Sequence, residues 1–137
     1  MAHRAFVDTS GWYALIDKRD ASHSAFAAEV TRLIQTGGRL VTTDYVIDES
    51  CTLAKARSGP AAAARLLEII DKTAALDLVW VAPERFAKAK AFFLKHHDQA
   101  FSFTDCTSFV VMREERIDEA ITIDAHFRVA GFKTLPR

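Results

Sequence analysis

The stretch AFVDTSGWYALI, residues 5–16, joins a short apolar run to an apolar helical pattern through one carboxylate, Asp8. The run before Asp8 has the length and composition of a buried strand. A carboxylate directly after such a strand either caps the helix that follows or presents its charge at the rim of a sheet. Asp8 alone does not decide between these roles, but further acids in equivalent places would favour the second.

The pattern of a short strand that ends in an acid recurs along the chain. RLVTTD, residues 39–44, ends at Asp44, and EAITID, residues 119–124, ends at Asp124. LDLVWVA, residues 76–82, is a further strand, and helical patterns separate all of these runs. This alternation predicts one α/β domain over residues 1–137, an α/β/α sandwich with a mostly parallel central sheet.

Composition sets broad limits on the function. Half of the 137 residues are hydrophobic, which suits one folded core, and the 18 basic and 18 acidic residues cancel. Zero net charge favours no particular partner and does not exclude nucleic acid, because a bound metal or a local basic patch can attract it. Two cysteines, Cys51 and Cys106, make no disulfide framework. With no signal-like or membrane-spanning run, we expect a soluble cytoplasmic protein without a membrane partner.

Four acids are expected to meet where the parallel strands end, because the carboxyl ends of such strands line the binding crevice. They are Asp8, Glu49, Asp105 and Asp124. Taken singly, the aspartates could simply cap helices, and we interpret Asp44 as such a cap. Together, four carboxylates would raise one another's pKa, and a hard divalent cation such as Mg²⁺ or Mn²⁺ would remove that conflict. His126 is a possible substrate contact or an ordinary surface histidine.

Four segments together resemble one family, the PIN domain, and within it the VapC-type toxins of prokaryotic toxin–antitoxin pairs. They follow the family's order and spacing over nearly the whole chain. The matching segments are VDTSGWYAL at 7–15, TTDYVIDES at 42–50, SFTDCTSFVVM at 102–112 and ITIDAHFRVAGF at 121–132.

The resemblance implies a Mg²⁺- or Mn²⁺-dependent ribonuclease. Carried over by position, Asp8, Glu49, Asp105 and Asp124 would be the catalytic and metal-binding residues. Thr9 or Ser10 would bind a metal-bound water, and Thr104 would orient Asp105. The chain departs from some relatives at residues 107–109, which lack a further acid, and at His126, where those relatives carry one. Whether the site binds one metal ion or two therefore remains open.

The resemblance also implies partners: an RNA substrate, a cognate antitoxin protein whose tail covers the active site, and a second copy in a homodimer. An apolar groove for the tail is expected near Trp12, Phe26 and Phe93, while Trp12 itself is expected to pack in the core or at the dimer interface rather than to stack on bases. Six arginines are candidates to line the approach of RNA, namely Arg4, Arg19, Arg57, Arg113, Arg116 and Arg128.

Three alternatives accompany the ribonuclease. A catalytically silent PIN module would bind RNA or a protein partner, although the complete set of acids counts against it. A phosphotransferase of the haloacid-dehalogenase type would need a second aspartate where Ser10 stands. DNA in place of RNA remains a variant of the first hypothesis, and the sequence does not identify the nucleic-acid target.

Overall fold

Five strands form one sheet in the computed structural model, which describes residues 3–137. The strands are β1 (Arg4–Val7), β2 (Arg39–Thr43), β3 (Leu76–Val79), β4 (Glu119–Ile121) and β5 (Lys133–Leu135). They lie in the order β3-β2-β1-β4-β5, and every neighbouring pair is parallel. The predicted α/β architecture with a parallel sheet is confirmed.

Helices connect the strands, as parallel pairing requires. Within the described residues they are α1 (Thr9–Ile16), α2 (His23–Gln35), α3 (Asp44–Ser58), α4 (Pro60–Lys72), α5 (Pro83–Lys95), α6 (Phe103–Glu114) and α7 (His126–Val129). Neighbouring side chains of β1 point to opposite faces of the sheet, and Ala5, Phe6 and Val7 are all fully buried. Packed elements therefore cover the central strand on both faces. No helix in residues 3–137 has the length and apolarity that crossing a bilayer requires.

The central position of β1 determines where the site forms. Phe6 pairs with Val41 of β2 on one side and with Ala120 of β4 on the other. The residues that follow β1 and β4 consequently leave the sheet side by side. Each strand ends before the acid predicted to terminate it, so Asp8 and Asp124 lie in the connections beyond the sheet.

Gly11 allows α1 to approach the end of β4 closely. A Cβ atom at this position would lie 2.4 Å from the carbonyl oxygen of Ile121 and 3.0 Å from a methyl carbon of Val7. Such a distance to a backbone atom is too short for any side chain to be accommodated in place. The absence of a side chain thus places the first turn of α1 against the strand ends that carry the acids.

Two local expectations were wrong. Asp44 is not the cap of α3, because Thr43 caps that helix by accepting a hydrogen bond from the amide of Val46 at 3.1 Å. The Asp44 carboxylate instead accepts a hydrogen bond from the amide of Val81 at 2.8 Å.

The apolar groove expected near Trp12, Phe26 and Phe93 is not formed by these residues. Trp12 and Phe26 are only 1% and 3% exposed, so both belong to the core, whereas Phe93 is 38% exposed. The indole Nε1 of Trp12 donates a 3.1 Å hydrogen bond to the hydroxyl of Thr42. This internal partner explains how a residue with a polar group can be buried so completely.

Candidate functional site

One cavity of about 290 Å³ lies beyond the carboxyl ends of the central strands and brings the four predicted acids together. Asp8 reaches it from the β1–α1 junction, Glu49 from α3, Asp105 from α6 and Asp124 from the β4–α7 connection. The remaining lining residues are Thr9, Ser10, Tyr13, Asp20, Val46, Leu53, Arg57, Thr104, Ser108 and Ile123. Residues distant in sequence therefore converge at the edge of the sheet where the alternating pattern predicted a crevice.

Asp8 is a helix cap and a cavity carboxylate at once. Its Oδ1 accepts hydrogen bonds of 2.8 Å from the Gly11 amide and from the Ser10 hydroxyl. Its Oδ2 accepts a 2.7 Å hydrogen bond from the hydroxyl of Thr122, the residue directly after β4. Burial raises the pKa of Asp8 to about 6 despite these bonds, and the charge of Asp124 adds to the rise. Asp8 therefore has both of the roles considered from the sequence: it caps α1, and it presents its carboxylate at the edge of the sheet.

Asp105 is fixed by a reciprocal capping box at the start of α6. Its amide donates to the Ser102 hydroxyl at 2.9 Å, and its Oδ2 accepts from the Ser102 amide at 3.0 Å. Burial, together with the charge of Asp124, raises the pKa of Asp105 above its ordinary value. Ser102, and not the predicted Thr104, orients this carboxylate, because the contact recorded for Thr104 is through its carbonyl, which accepts from Thr107 and Ser108.

His126 stands between two of the acids. Its Nδ1 lies 3.0 Å from Oδ2 of Asp105 and 3.1 Å from Oδ1 of Asp124. Each of these three residues offers one possible metal-ligand atom, and the three atoms all lie within 4.8 Å of one another. They are the one such group of acid, histidine or cysteine residues in the described part of the chain. From the sequence alone His126 was only a possible substrate contact, and its spacing of two residues from Asp124 was the available indication.

Glu49 occupies a more open part of the cavity. The hydroxyl of Thr9 donates a 2.6 Å hydrogen bond to its Oε1, and the side chain is exposed. Thr9 and Ser10 thus contact carboxylates directly, each holding a different acid. Whether either also binds a metal-bound water stays a prediction.

The chemistry of this donor set fits a hard divalent cation. Oδ1 of Asp105 and Oδ2 of Asp124 take part in none of the hydrogen bonds formed within residues 3–137. Arg57 is the only Lys or Arg side chain among the described residues that line the cavity, and its guanidinium lies over the Tyr13 ring at 5.4 Å. The site holds more carboxylates than cations, the pKa values of Asp8 and Asp105 are raised, and two carboxylate oxygens are open; Mg²⁺ or Mn²⁺ would neutralise such a group.

The six arginines expected along an RNA approach have different surroundings. Arg4 pairs with Glu115 at 3.2 Å and Arg19 with Asp17 at 3.3 Å, while Arg113 lies over the rings of Phe92 and Phe132. Arg57 lines the cavity itself, and Arg128 lines a neighbouring cleft. Arg116 lines neither this cavity nor the neighbouring cleft. Arg57 and Arg128 therefore remain the candidates beside the site.

Comparison with known proteins gives a consistent result. The family model of the PIN domain matches residues 5–133. The 23S rRNA-specific endonuclease VapC20 of Mycobacterium tuberculosis is 34% identical over 128 residues, which cover 93% of this chain and 94% of the relative. Its crystal structure, described as a Sarcin-Ricin loop cleaving toxin, superimposes with a TM-score of 0.82 at 32% identity, covering 93% of this chain and 95% of that one.

Two further proteins are more distant. The VapC ribonuclease of Archaeoglobus fulgidus is 29% identical over 125 residues, covering 90% of this chain and 78% of the relative. The structure of VapBC2 from Rickettsia felis, bound to a DNA fragment from its promoter, has a TM-score of 0.70 at 10% identity, with 96% of each chain covered. The latter likeness is one of fold alone.

Proposed function

The chain belongs to the PIN domain family, and from this premise we propose that it is a VapC-type toxin ribonuclease that hydrolyses RNA phosphodiester bonds with Mg²⁺ or Mn²⁺. The observation that carries the proposal is the convergence of Asp8, Glu49, Asp105 and Asp124 on one cavity. The similarity to VapC20 supports RNA as the substrate.

In this proposal Asp8, Asp105 and Asp124 hold the cation directly or through water. Once bound, the ion would supply positive charge to the phosphate and lower the pKa of the attacking water. Ser102 keeps Asp105 oriented, and Thr122 keeps Asp8 oriented, so both carboxylates are positioned before substrate arrives.

Glu49 has a different part because it is exposed and lies outside the compact group of Asp105, Asp124 and His126. We assign it to orienting the attacking water and accepting its proton, with Thr9 fixing the carboxylate. The bond from Thr9 uses one carboxylate oxygen and leaves the other for this task.

The proposed partners follow from the relatives. VapC20 is described as a toxin, and a VapBC pair shares the fold, so we propose a cognate antitoxin that blocks the cavity. We also propose a homodimer and a cytoplasmic location. Because VapC20 is named as specific for 23S rRNA, ribosomal RNA is the first substrate to test.

The experiment combines metal titration by calorimetry with cleavage of total RNA and of purified 23S rRNA. The wild type is compared with Asp124→Asn and with Asp118→Asn, an exposed aspartate outside the cavity. We expect cleavage that requires Mg²⁺ or Mn²⁺, a loss of about 100-fold or more in Asp124→Asn, and unchanged activity in Asp118→Asn.

Failure of the purified wild type to bind either cation, with antitoxin shown to be absent, would overturn the proposed centre. The silent PIN module would then be the better reading. Metal-dependent cleavage of DNA but not of RNA would retain the centre and change the substrate.

A further inference from the structure

A second cleft, of about 400 Å³, adjoins the acidic cavity across the β4–α7 connection. Ile123 and Asp124 line both spaces, so the cleft and the cavity lie side by side at this connection. The cleft volume falls within the range of roughly 300–1,000 Å³ that is usual for small-ligand sites. Its other lining residues are Ser22, Ala25, Phe26, Thr122, Arg128, Thr134, Pro136 and Arg137.

Ile123 forms an exposed apolar ridge between the two spaces. Ile123 is 60% exposed, and its backbone amide donates a 3.1 Å hydrogen bond to the Ser10 hydroxyl. The next amide, that of Asp124, donates to the Thr122 hydroxyl at 2.8 Å. Single exposed apolar residues are common on protein surfaces, but the backbone of this one is hydrogen-bonded to Ser10 beside the proposed reaction centre.

Arg128 supplies the available positive charge of the cleft. Arg137, the other arginine that lines it, pairs with Glu119 at 3.1 Å. The guanidinium of Arg128 takes part in none of the ion pairs formed within residues 3–137, and the residue is exposed. The cleft thus combines an open arginine with the side-chain hydroxyls of Ser22 and Thr134, groups that suit a phosphate and a sugar.

Resting on the proposed ribonuclease function, we propose that Ile123 and Arg128 position the substrate strand. The strand passes over the ridge with the scissile phosphate in the acidic cavity. Ile123 inserts between the bases on either side of that linkage, and the adjoining nucleotide enters the cleft with its phosphate on Arg128. Such a ridge favours single-stranded or looped RNA, because those bases separate at the least cost.

The test uses a short single-stranded RNA, with kcat and KM measured in Mn²⁺ and binding measured by fluorescence anisotropy in EDTA at several salt concentrations. Ile123→Ala is compared with Val129→Ala, whose residue is also 60% exposed but lines neither space. Arg128→Gln is compared with Lys90→Gln, an exposed cation on α5 that lines neither space.

We expect Ile123→Ala to lower kcat/KM by about tenfold, in keeping with the loss of one base contact. Ile123→Leu should restore most of the activity, because it returns an apolar side chain of the same size. Arg128→Gln should raise KM and reduce the slope of log K against log salt by about 0.7, the value for one phosphate contact on a single strand. Both control variants should match the wild type.

If the wild type cleaves the RNA while Ile123→Ala and Arg128→Gln behave like their controls, the positioning role is wrong and the proposed function stands. If the wild type neither binds nor cleaves RNA, both are wrong. Thermal unfolding of each variant separates a folding defect from a loss of binding. An equal loss in Val129→Ala would likewise overturn a specific role for Ile123.

Discussion

The hydroxyl of Thr9, the first residue of α1, donates a 2.6 Å hydrogen bond to Oε1 of Glu49 on α3. The bond fixes an otherwise exposed carboxylate at the mouth of the acidic cavity. A glutamate side chain loses considerable rotamer freedom when it is held in one position. The hydrogen bond from Thr9 therefore offsets part of the rotamer entropy that Glu49 loses when it is held ready for a substrate.

Removal of the Thr9 hydroxyl should slow RNA cleavage without unfolding the protein. We expect Thr9→Val to lower kcat about tenfold, as is usual for a group that orients a catalytic residue. The change in the free energy of unfolding should stay near 1 kcal/mol, the typical value for one hydrogen bond. Thr9→Ser keeps the hydroxyl and should retain activity. Equal activity in Thr9→Val and the wild type, measured with a short RNA, would show that Glu49 needs no orientation.

The buried Asp8 should make the stability of the metal-free protein depend on pH. Its pKa is raised from 3.8 to about 6 in the folded state, so the folded chain binds the proton more tightly than the unfolded chain. Stability from this group is therefore greatest below pH 3.8 and is lost as the pH rises toward about 6. A rise of two pKa units corresponds to about 3 kcal/mol.

Urea unfolding between pH 4 and pH 8 in EDTA, for the wild type and Asp8→Asn, measures this contribution. The difference in the free energy of unfolding between the two proteins removes the contribution of the other acidic groups, which both proteins share. We expect that difference to shift in favour of Asp8→Asn as the pH rises, and Mn²⁺ to restabilise only the wild type. Parallel pH profiles in the two proteins would contradict the raised pKa of Asp8.

Replacing His126 by an acid should strengthen cation binding. The imidazole Nδ1 lies close to the carboxylates of Asp105 and Asp124, so His126→Asp would place a third negative group against the same space. We expect the affinity for Mn²⁺ to rise about tenfold, since affinity for hard cations follows ligand charge. His97→Asp adds the same charge at an exposed position outside the cavity and should leave the affinity unchanged. Calorimetry that shows weaker binding in His126→Asp would argue against a cation between these acids.

Adding one methyl group at Gly11 should destabilise the whole domain. The new Cβ would lie 2.4 Å from the carbonyl oxygen of Ile121, and a backbone atom of a central strand cannot move aside cheaply. We expect Gly11→Ala to lower the free energy of unfolding by about 3 kcal/mol or more. Gly37→Ala meets no atom within 4 Å and incurs only the strain of its φ of +82°, roughly 1–2 kcal/mol. Equal losses in the two variants, measured by urea unfolding, would contradict the close approach of α1 to β4.

The order of strands and helices was predictable because its signals are local. Short apolar runs such as AFV before Asp8 contrast with the helical spacing that follows, and Gly59-Pro60 separates α3 from α4 as expected. Parallel pairing then required the acids after β1 and β4 to lie at the same edge of the sheet. For this reason the placement of Asp8 and Asp124 was correct before any coordinates were known.

Long-range side-chain contacts were not predictable in the same way. Thr122 has no distinctive pattern in the sequence, yet its hydroxyl links Asp8, Ser10 and Asp124. Asp44 has the residue type and position expected of a helix cap. Its carboxylate instead accepts a hydrogen bond from the amide of Val81, 37 residues away. Single-sequence patterns report local preference, and these contacts depend on the order of the strands in the sheet.

Aromatic residues were misplaced for a related reason. A groove was expected near Trp12, with core or dimer packing as the other interpretation of this residue, and the fold buries it and provides the hydroxyl of Thr42 for its indole nitrogen. Phe93 packs edge-on against Phe103 at 5.7 Å between ring centroids while remaining 38% exposed. Hydrophobicity alone does not distinguish a core position from a half-covered cluster.

The position of β1 between β2 and β4 also governs when the protein can act during its own synthesis. Asp8 contacts Thr122 across 114 residues of chain, so the first strand of the described residues pairs with β4 only after most of those residues have been synthesised. A ribosome that is still translating this chain therefore carries separate acids and no assembled cavity. If the protein cleaves RNA as proposed, the strand order delays that activity until nearly all of the described chain has emerged, which protects the message and the ribosome that produce it.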